Sequence, residues 1–314
     1  MSKKMLAAAT AILLSLTAYA PQASAADIKI AAVLKTLSTP YWQILGKAIK
    51  DTAAKNNVEL ILLGPPTEDA VEQQINMVQD AISQKPDALI FAPSQPAAAV
   101  NALEKAKAAN IPVLLVDTGM PKGFEDYTTY IGTDNFAAGK MGGEALAKLL
   151  KKGDKVLLLD GTPGNPSMNR RIDGAAEVLE AAGMVIASRL PAFSDREKAY
   201  SATQAALQSN PDLAGVFSGS DEQALGSMRA LKQAGKSVPV IAVDGDNDAI
   251  KAIMAGDMYG TIAQGNYKMG QLGVEKALEA IAGKPVEKRI DSGTSLITKD
   301  NAQKYLDFKA SLLK

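Results

Sequence analysis

At 314 residues the chain is long enough for two domains, and 47% apolar with 22% charged residues is the balance of an ordinary globular protein. Its 34 basic and 34 acidic residues leave no positive excess to hold a phosphate backbone or an anionic membrane. With no cysteine and no histidine, disulfide frameworks, thiol nucleophiles, His-based triads and typical zinc sites are excluded, so catalysis would rest on carboxylates or lysine.

The first 25 residues carry Lys3 and Lys4, an apolar run from Met5 to Leu16 and the small-residue triplet Ala23-Ser24-Ala25. This is the pattern of a secretory signal cleaved after Ala25. The run is too short for a membrane span, which takes about 20 apolar residues. Loss of its two lysines leaves 32 basic against 34 acidic residues, a net charge near −2.

From Asp27 onward, short Val/Ile/Leu/Ala runs alternate with segments of 3.6-residue period, the mark of a parallel sheet with crossover helices. The strand candidate Ile28–Leu34 runs into Lys35–Trp42 (KTLSTPYW), where Thr39 before Pro40 reads as an N-cap hydroxyl followed by proline at the first helical position. Lys35, Tyr41 and Trp42 then lie at the carboxyl end of a strand, where open α/β sheets hold ligands. The plainer reading is that the aromatics pack on the sheet and Lys35 is solvated. Val58–Leu63 is the next strand, ended by Gly64-Pro65-Pro66, and Val71, Ile75, Val78 and Ile82 then form one helical stripe. Ala88–Ala92, Val113–Val116 and Thr128–Ile131 follow as strands, with a helix over Ala97–Ala109.

After Thr133-Asp134-Asn135, a small-residue helix is expected to end near Lys152-Gly153, and a second round begins. Strands are expected at Val156–Leu159, Val185–Leu190, Ala214–Phe217, Val240–Val243 and Met258–Ala263, separated by helices that include Asp195–Ser209 and Asp221–Ala234. Two rounds of about five strand-helix units predict two lobes of similar architecture. No Ser/Gly-rich tether separates them, so several short crossings are expected. Met254, Met258 and Met269 are read as core.

Across both rounds the strands close on Lys35, Asp117, Ser220, Asp244 and Gln264. Aspartate accepts from hydroxyls, lysine and arginine donate, glutamine does both, and an aromatic face covers the C–H face of a sugar ring. Polar strand ends are equally at home as helix caps and solvated turns. The turn Gly161–Pro166 (GTPGNP) matches neither dinucleotide nor phosphate-loop spacing, and Pro166 removes a donor. Asp244/Asp246/Asp248 lacks the spacing of a calcium loop and reads as helix-cap acids. No metal or cofactor is expected. An Asp117/Asp244 pair for glycoside cleavage depends on a separation that the fold decides.

The segments VLKTLSTPYW, PVLLVD, YIGTDN, FSGSDEQALGSMRAL, VIAVDG and TIAQ, in this order over the whole mature chain, resemble the periplasmic sugar-binding proteins of ABC importers, of the ribose, allose and galactose type. The opening stretch is closest to the allose-binding branch, which also has lysine at that point. The resemblance implies two doubly wound parallel-sheet lobes joined by three hinge crossings, near Thr133-Asp134, Gln264-Gly265 and Ser292-Gly293. The implied division is 26–133 with 265–292 as the N-terminal lobe and 134–264 with 293–314 as the C-terminal lobe. The resemblance further implies a monosaccharide held between them by Lys35, Thr39, Tyr41, Trp42, Asp117, Thr133, Arg171, Ser220, Asp244 and Gln264. Ribose binders have arginine after the first aspartate where this chain has Thr118. Their second-lobe aromatic falls on Ser194, beside Phe193; their asparagine falls on Ser220; the aromatic before the late aspartate is Val243. These departures argue against ribose and for a hexose, polyol or cyclitol.

The expectation is therefore a periplasmic monomer, not an enzyme, that captures a neutral monosaccharide or polyol and delivers it to a membrane permease, with a chemoreceptor as a further partner class and no nucleic-acid partner. The alternative within the same fold is capture of a furanosyl signalling molecule of the autoinducer type. A secreted carboxylate-dependent enzyme conflicts with the missing histidines. The effector domain of a LacI-type repressor would need a helix-turn-helix where this chain has a leader.

Overall fold

The computed structural model describes residues 28–312; the expected signal segment, 1–25, lies outside the described residues. The first round runs β1 (Lys29–Val33), α1 (Pro40–Lys55), β2 (Glu59–Leu63), α2 (Val71–Ser83), β3 (Ala88–Phe91), α3 (Pro96–Ala108), β4 (Val113–Val116) and β5 (Thr129–Gly132). Next come α4 (Asn135–Ala147), β6 (Lys155–Asp160), α5 (Pro166–Ala181), β7 (Val185–Pro191), α6 (Arg196–Ser209) and β8 (Leu213–Ser218). The second round continues through α7 (Asp221–Gln233), β9 (Val240–Asp244), α8 (Asn247–Ala255) and β10 (Gly260–Gln264). The last elements are α9 (Asn266–Ile281), β11 (Arg289–Asp291), β12 (Thr294–Thr298) and α10 (Ala302–Leu312). Every apolar run read as a strand forms one, to within two residues at either end. The helix expected to reach Lys152 stops at Ala147.

Two six-stranded sheets result, ordered β11-β5-β4-β3-β1-β2 and β12-β10-β9-β8-β6-β7. In each, the order reverses beside the first strand of its round, between β1 and β3 and between β6 and β8. Such a reversal opens a crevice at the carboxyl ends of the strands. All pairings are parallel except β10 with β12, where Gln264 stands opposite Thr294. The reason is local: β12 enters its sheet where β10 ends, so it must run back along it.

Both faces of both sheets are covered, which is why the strands read as unbroken apolar runs. On the first sheet, Leu45 and Ile49 of α1 with Met269 and Val274 of α9 pack on Ile30, Ile90 and Leu114. Ile75, Val78 and Ile82 of α2 and Leu103 of α3 pack on Val33, Leu89 and Phe91 from the other side. In the second, Leu146 of α4 and Ile172 of α5 meet Leu158, Phe217 and Ile241, while Ala199, Leu231, Ile250 and Ala302 meet Leu157, Val216 and Ala242. Met258 and Met269 are core, but Met254 is 37% exposed on α8, a correction to the sequence reading. Ala249, Ile250 and Ile253 form the buried stripe of that helix, and Met254 lies at the stripe's solvent-facing edge, near the helix end.

The chain passes from one sheet to the other at three places: between β5 and α4, between β10 and α9, and between β11 and β12. At the first and third, Thr133 and Ser292 are buried with their hydroxyls 3.5 Å apart. Helices α4 and α5 approach backbone to backbone. A Cβ at Gly139 would overlap the Arg171 carbonyl, and one at Gly174 would overlap that of Phe136.

Candidate ligand-binding cleft

The carboxyl edges of the two sheets face each other across a cavity of about 40 Å³. From the first lobe it is lined by Lys35, Thr39, Tyr41, Trp42, Glu68 and Asp117. From the second come Ser167, Met168, Arg171, Ser194, Ser220, Glu222, Asp244, Asp246 and Gln264. Nine of the ten residues expected to bind ligand therefore share one cavity. Thr133 does not line it: it belongs to a neighbouring cavity behind the first crossing, with its hydroxyl turned to Ser292.

In the first lobe the chemistry is organised by Asp117, buried just beyond β4. Lys35 Nζ lies 3.2 Å from its Oδ2. Tyr41 donates to Oδ1 at 2.8 Å, and Thr118 donates to Oδ2 at 2.6 Å. Thr118 thus supports the aspartate and does not line the cavity. Burial would raise the Asp117 carboxyl, but Lys35, Thr118, Tyr41 and Arg171 together hold it below its ordinary value. Burial also lifts the Tyr41 phenol well above its usual range, with Asp117 and Asp244 adding to the effect, so it stays a donor. Lys35 sits 5.3 Å from the centre of the Trp42 ring, and Trp42 meets Tyr41 edge to face at 5.0 Å. The hydroxyl of Thr39 makes no capping bond, although the residue holds the N-cap position with Pro40 behind it. That side chain is left to face the cleft, which corrects the capping role read from sequence.

The second lobe repeats the device. Arg171, 3% exposed on α5, places its guanidinium 3.4 Å from Asp244 Oδ1. It also donates to Asn135 Oδ1 at 2.7 and 3.1 Å and to the Gly219 carbonyl. Gln264 donates to Asp244 Oδ1 at 2.6 Å. Ser220 caps α7 through the amide of Gln223. Asn165 caps α5 through the amides of Ser167 and Met168, so the GTPGNP turn satisfies its own helix donors.

Both cleft aspartates hold positive φ, 63° at Asp117 and 138° at Asp244. Such conformations cost about 1–3 kcal/mol each and persist only where the surroundings determine them. Behind Asp244, Asp221 accepts from Gly245 N at 2.8 Å, Asp246 N at 2.7 Å and Thr261 Oγ1 at 2.7 Å. Burial and the mutual repulsion of these acids push Asp244 well above its ordinary value, against the pull of Arg171. Asp221 rises to about 8, through burial and then Asp246. Asp246, with Oδ1 buried and unpartnered, rises to about 6 through burial, opposed by Lys309.

Six lining residues, Glu68, Ser167, Met168, Ser194, Glu222 and Asp246, are not among the ten that the sequence reading expects to bind ligand, and Glu68 is the one of these from the first lobe. Glu68, in the loop after β2, accepts from Trp42 Nε1 at 2.7 Å. Burial raises its carboxyl, opposed by Lys35 and the Trp42 bond. The same signal that found the others, a polar group beyond a strand's carboxyl end, applied here but was obscured by Gly64-Pro65-Pro66, which read as a plain turn.

A family model described as a periplasmic binding protein domain matches residues 30–285. The chain is 34% identical over 298 residues to the ribose import binding protein RbsB of Escherichia coli, covering 95% of this chain and 99% of that one. It is 30% identical to the D-allose-binding periplasmic protein of the same organism, over 81% of this chain and 85% of that one. An ABC transporter solute-binding protein of Agrobacterium vitis, solved with bound D-fucose, superposes with a TM-score of 0.85 at 32% identity, over 90% of this chain and 99% of that one. The chain belongs to the periplasmic sugar-binding proteins of ABC importers, a non-enzymatic family of type I periplasmic binding proteins.

Proposed function

We propose that this protein captures a neutral monosaccharide or polyol in the cleft between its lobes, in the periplasm, and delivers it as a monomer to the membrane permease of an ABC importer. One observation carries the reading: each lobe presents a buried aspartate held by a cation of the same lobe, Lys35 with Asp117 and Arg171 with Asp244. Each pair offers acceptors and donors side by side, as the hydroxyls of a sugar require, while Tyr41 and Trp42 supply an apolar wall. Ligand bridging both pairs binds the closed arrangement more tightly than an open one, and that difference drives closure about the three crossings. The moving units are 26–133 with 265–292 and 134–264 with 293–314. The relatives named above bind ribose, D-allose and D-fucose, which sets the class to be tried first.

Thermal melts and Trp42 emission, read against D-ribose, D-allose, D-fucose, D-galactose and myo-inositol, test the proposal. Saturation at 100 times Kd adds about 2.7 kcal/mol. The expected result is a raised Tm and a changed emission with at least one member. If no pentose, hexose or cyclitol moves either signal, the reading fails. Mass spectrometry of ligand that co-purifies separates a sugar from a furanosyl signalling molecule. N-terminal sequencing of the exported chain should begin at Ala26.

A further inference from the structure

The five carboxylates that line the cleft are unequally occupied. Asp117 accepts from Tyr41, Thr118 and Lys35, and Asp244 from Arg171, Gln264 and the Asp221 amide. Glu68 accepts a single bond, from the Trp42 indole, and no ion pair involves it among the described residues. A carboxylate has room for about four donors. Spare acceptor capacity in the cleft therefore lies on Glu68, on the side chain that the loop after β2 brings to its edge, and on Asp246, whose Oδ1 is unpartnered but closed off from solvent.

The charge balance points the same way. Glu68, Asp117, Glu222, Asp244 and Asp246 surround the cavity against Lys35 and Arg171. Both cations are already engaged by aspartates, and Glu222 is engaged by Arg196 outside. Among the described residues, a ligand carboxylate or phosphate entering the cleft meets no cation free of an aspartate and two acids without an ion pair, Glu68 and Asp246. A ligand hydroxyl meets a charged acceptor, the stronger kind of hydrogen bond.

We propose that Glu68 is a specificity-determining residue of this cleft, accepting a hydrogen bond from a ligand hydroxyl through its free oxygen while its charge excludes sugar acids and sugar phosphates. The inference rests on the sugar-binding reading above. It extends that reading by assigning a contact to a loop that none of the strand-end aspartates or their partners occupy.

The test is a double-mutant cycle on the mature chain with Glu68→Gln and Trp42→Phe, read by calorimetric titration with the tightest neutral ligand of the panel. Glutamine keeps the size of the side chain and an oxygen for the Trp42 indole but loses the charge. The expected result is a loss of about 10-fold or more in affinity for Glu68→Gln, in the wild-type and Trp42→Phe backgrounds alike. If the effect is absent from the wild-type background, or vanishes once Trp42 is phenylalanine, Glu68 only orients the indole and the proposal is overturned. A second readout survives a poorly folded Trp42→Phe: the affinity ratio of that ligand to its carboxylate or phosphate derivative falls about 10-fold or more in Glu68→Gln alone, and an unchanged ratio overturns the exclusion. A wild-type chain that binds no member of the panel sinks the sugar-binding reading and this inference together. Normal wild-type binding with an unaffected Glu68→Gln sinks only the inference.

Discussion

Replacing Lys35 by alanine removes the cation from a buried pair and leaves its partner in place. Lys35 and Asp117 are 6% and 7% exposed, and 3.2 Å separates Nζ from Oδ2. Stripping one member from such a pair costs about 3–5 kcal/mol, because the remaining charge is stranded. Tyr41 and Thr118 still donate to Asp117, which places the loss near the lower limit, about 3 kcal/mol. For a lobe of this size that is a fall in Tm of about 6–12 °C.

The same geometry sets the pH dependence. In the wild type the folded Asp117 carboxyl lies below its unfolded value, so its contribution is present above pH about 4 and is lost as pH falls through the lower, folded value. Without Lys35, burial dominates and the folded value moves above the unfolded one. Asp117 then costs stability above that raised value, and the cost disappears below pH about 4. The Tm gap between wild type and Lys35→Ala is therefore widest at pH 7–8 and narrows toward pH 4. Calorimetric melts across that range measure it. A gap that stays constant, or stays under about 2 °C throughout, refutes the stranded-charge argument. Lys35→Met combined with Asp117→Asn should recover most of the stability and none of the ligand binding. Full affinity in Lys35→Ala would make the whole stretch from Lys35 to Trp42 scaffold.

Arg171→Lys keeps the charge but loses the fork shared by Asn135, Gly219 and Asp244, and titration should show affinity reduced by about 10-fold or more. Gly139→Ala has no room beside the Arg171 carbonyl; pushing α4 from α5 should cost about 1–3 kcal/mol in denaturant melts and weaken binding by displacing Arg171. Asp246 is buried with a folded value raised to about 6, so it costs stability above that pH and not below pH about 4. Asp246→Asn should raise Tm at pH 7.5 and leave it unchanged at pH 4, and a gain independent of pH would refute that account.

The candidate site was largely legible because it obeys one local rule. Asp244 and Gln264 close apolar strands and Lys35 and Asp117 come within two residues after them, and every strand of a parallel sheet ends at the same edge. The rule was silent where a side chain's direction depends on its surroundings. Thr39 was read as a cap, yet its hydroxyl makes no capping bond, and Thr133 turns to Ser292 across a crossing from residues 159 positions away. Glu68 was hidden because its place depends on how far a proline-rich loop reaches, which periodicity does not encode.

What the sequence by itself determined is the alternation of doubly covered strands with helices, the polar strand ends, and the absence of thiol and imidazole side chains. These follow from local composition and from the requirement that apolar faces be buried. Only the tertiary structure decided which polar groups neutralise each other. Lys35 and Asp117 are far apart in the chain, as are Arg171 and Asp244, and whether each is a partner or a free ligand contact depends on distances of a few ångströms that packing sets. The same packing leaves Glu68 with one bond where Asp117 and Asp244 have three.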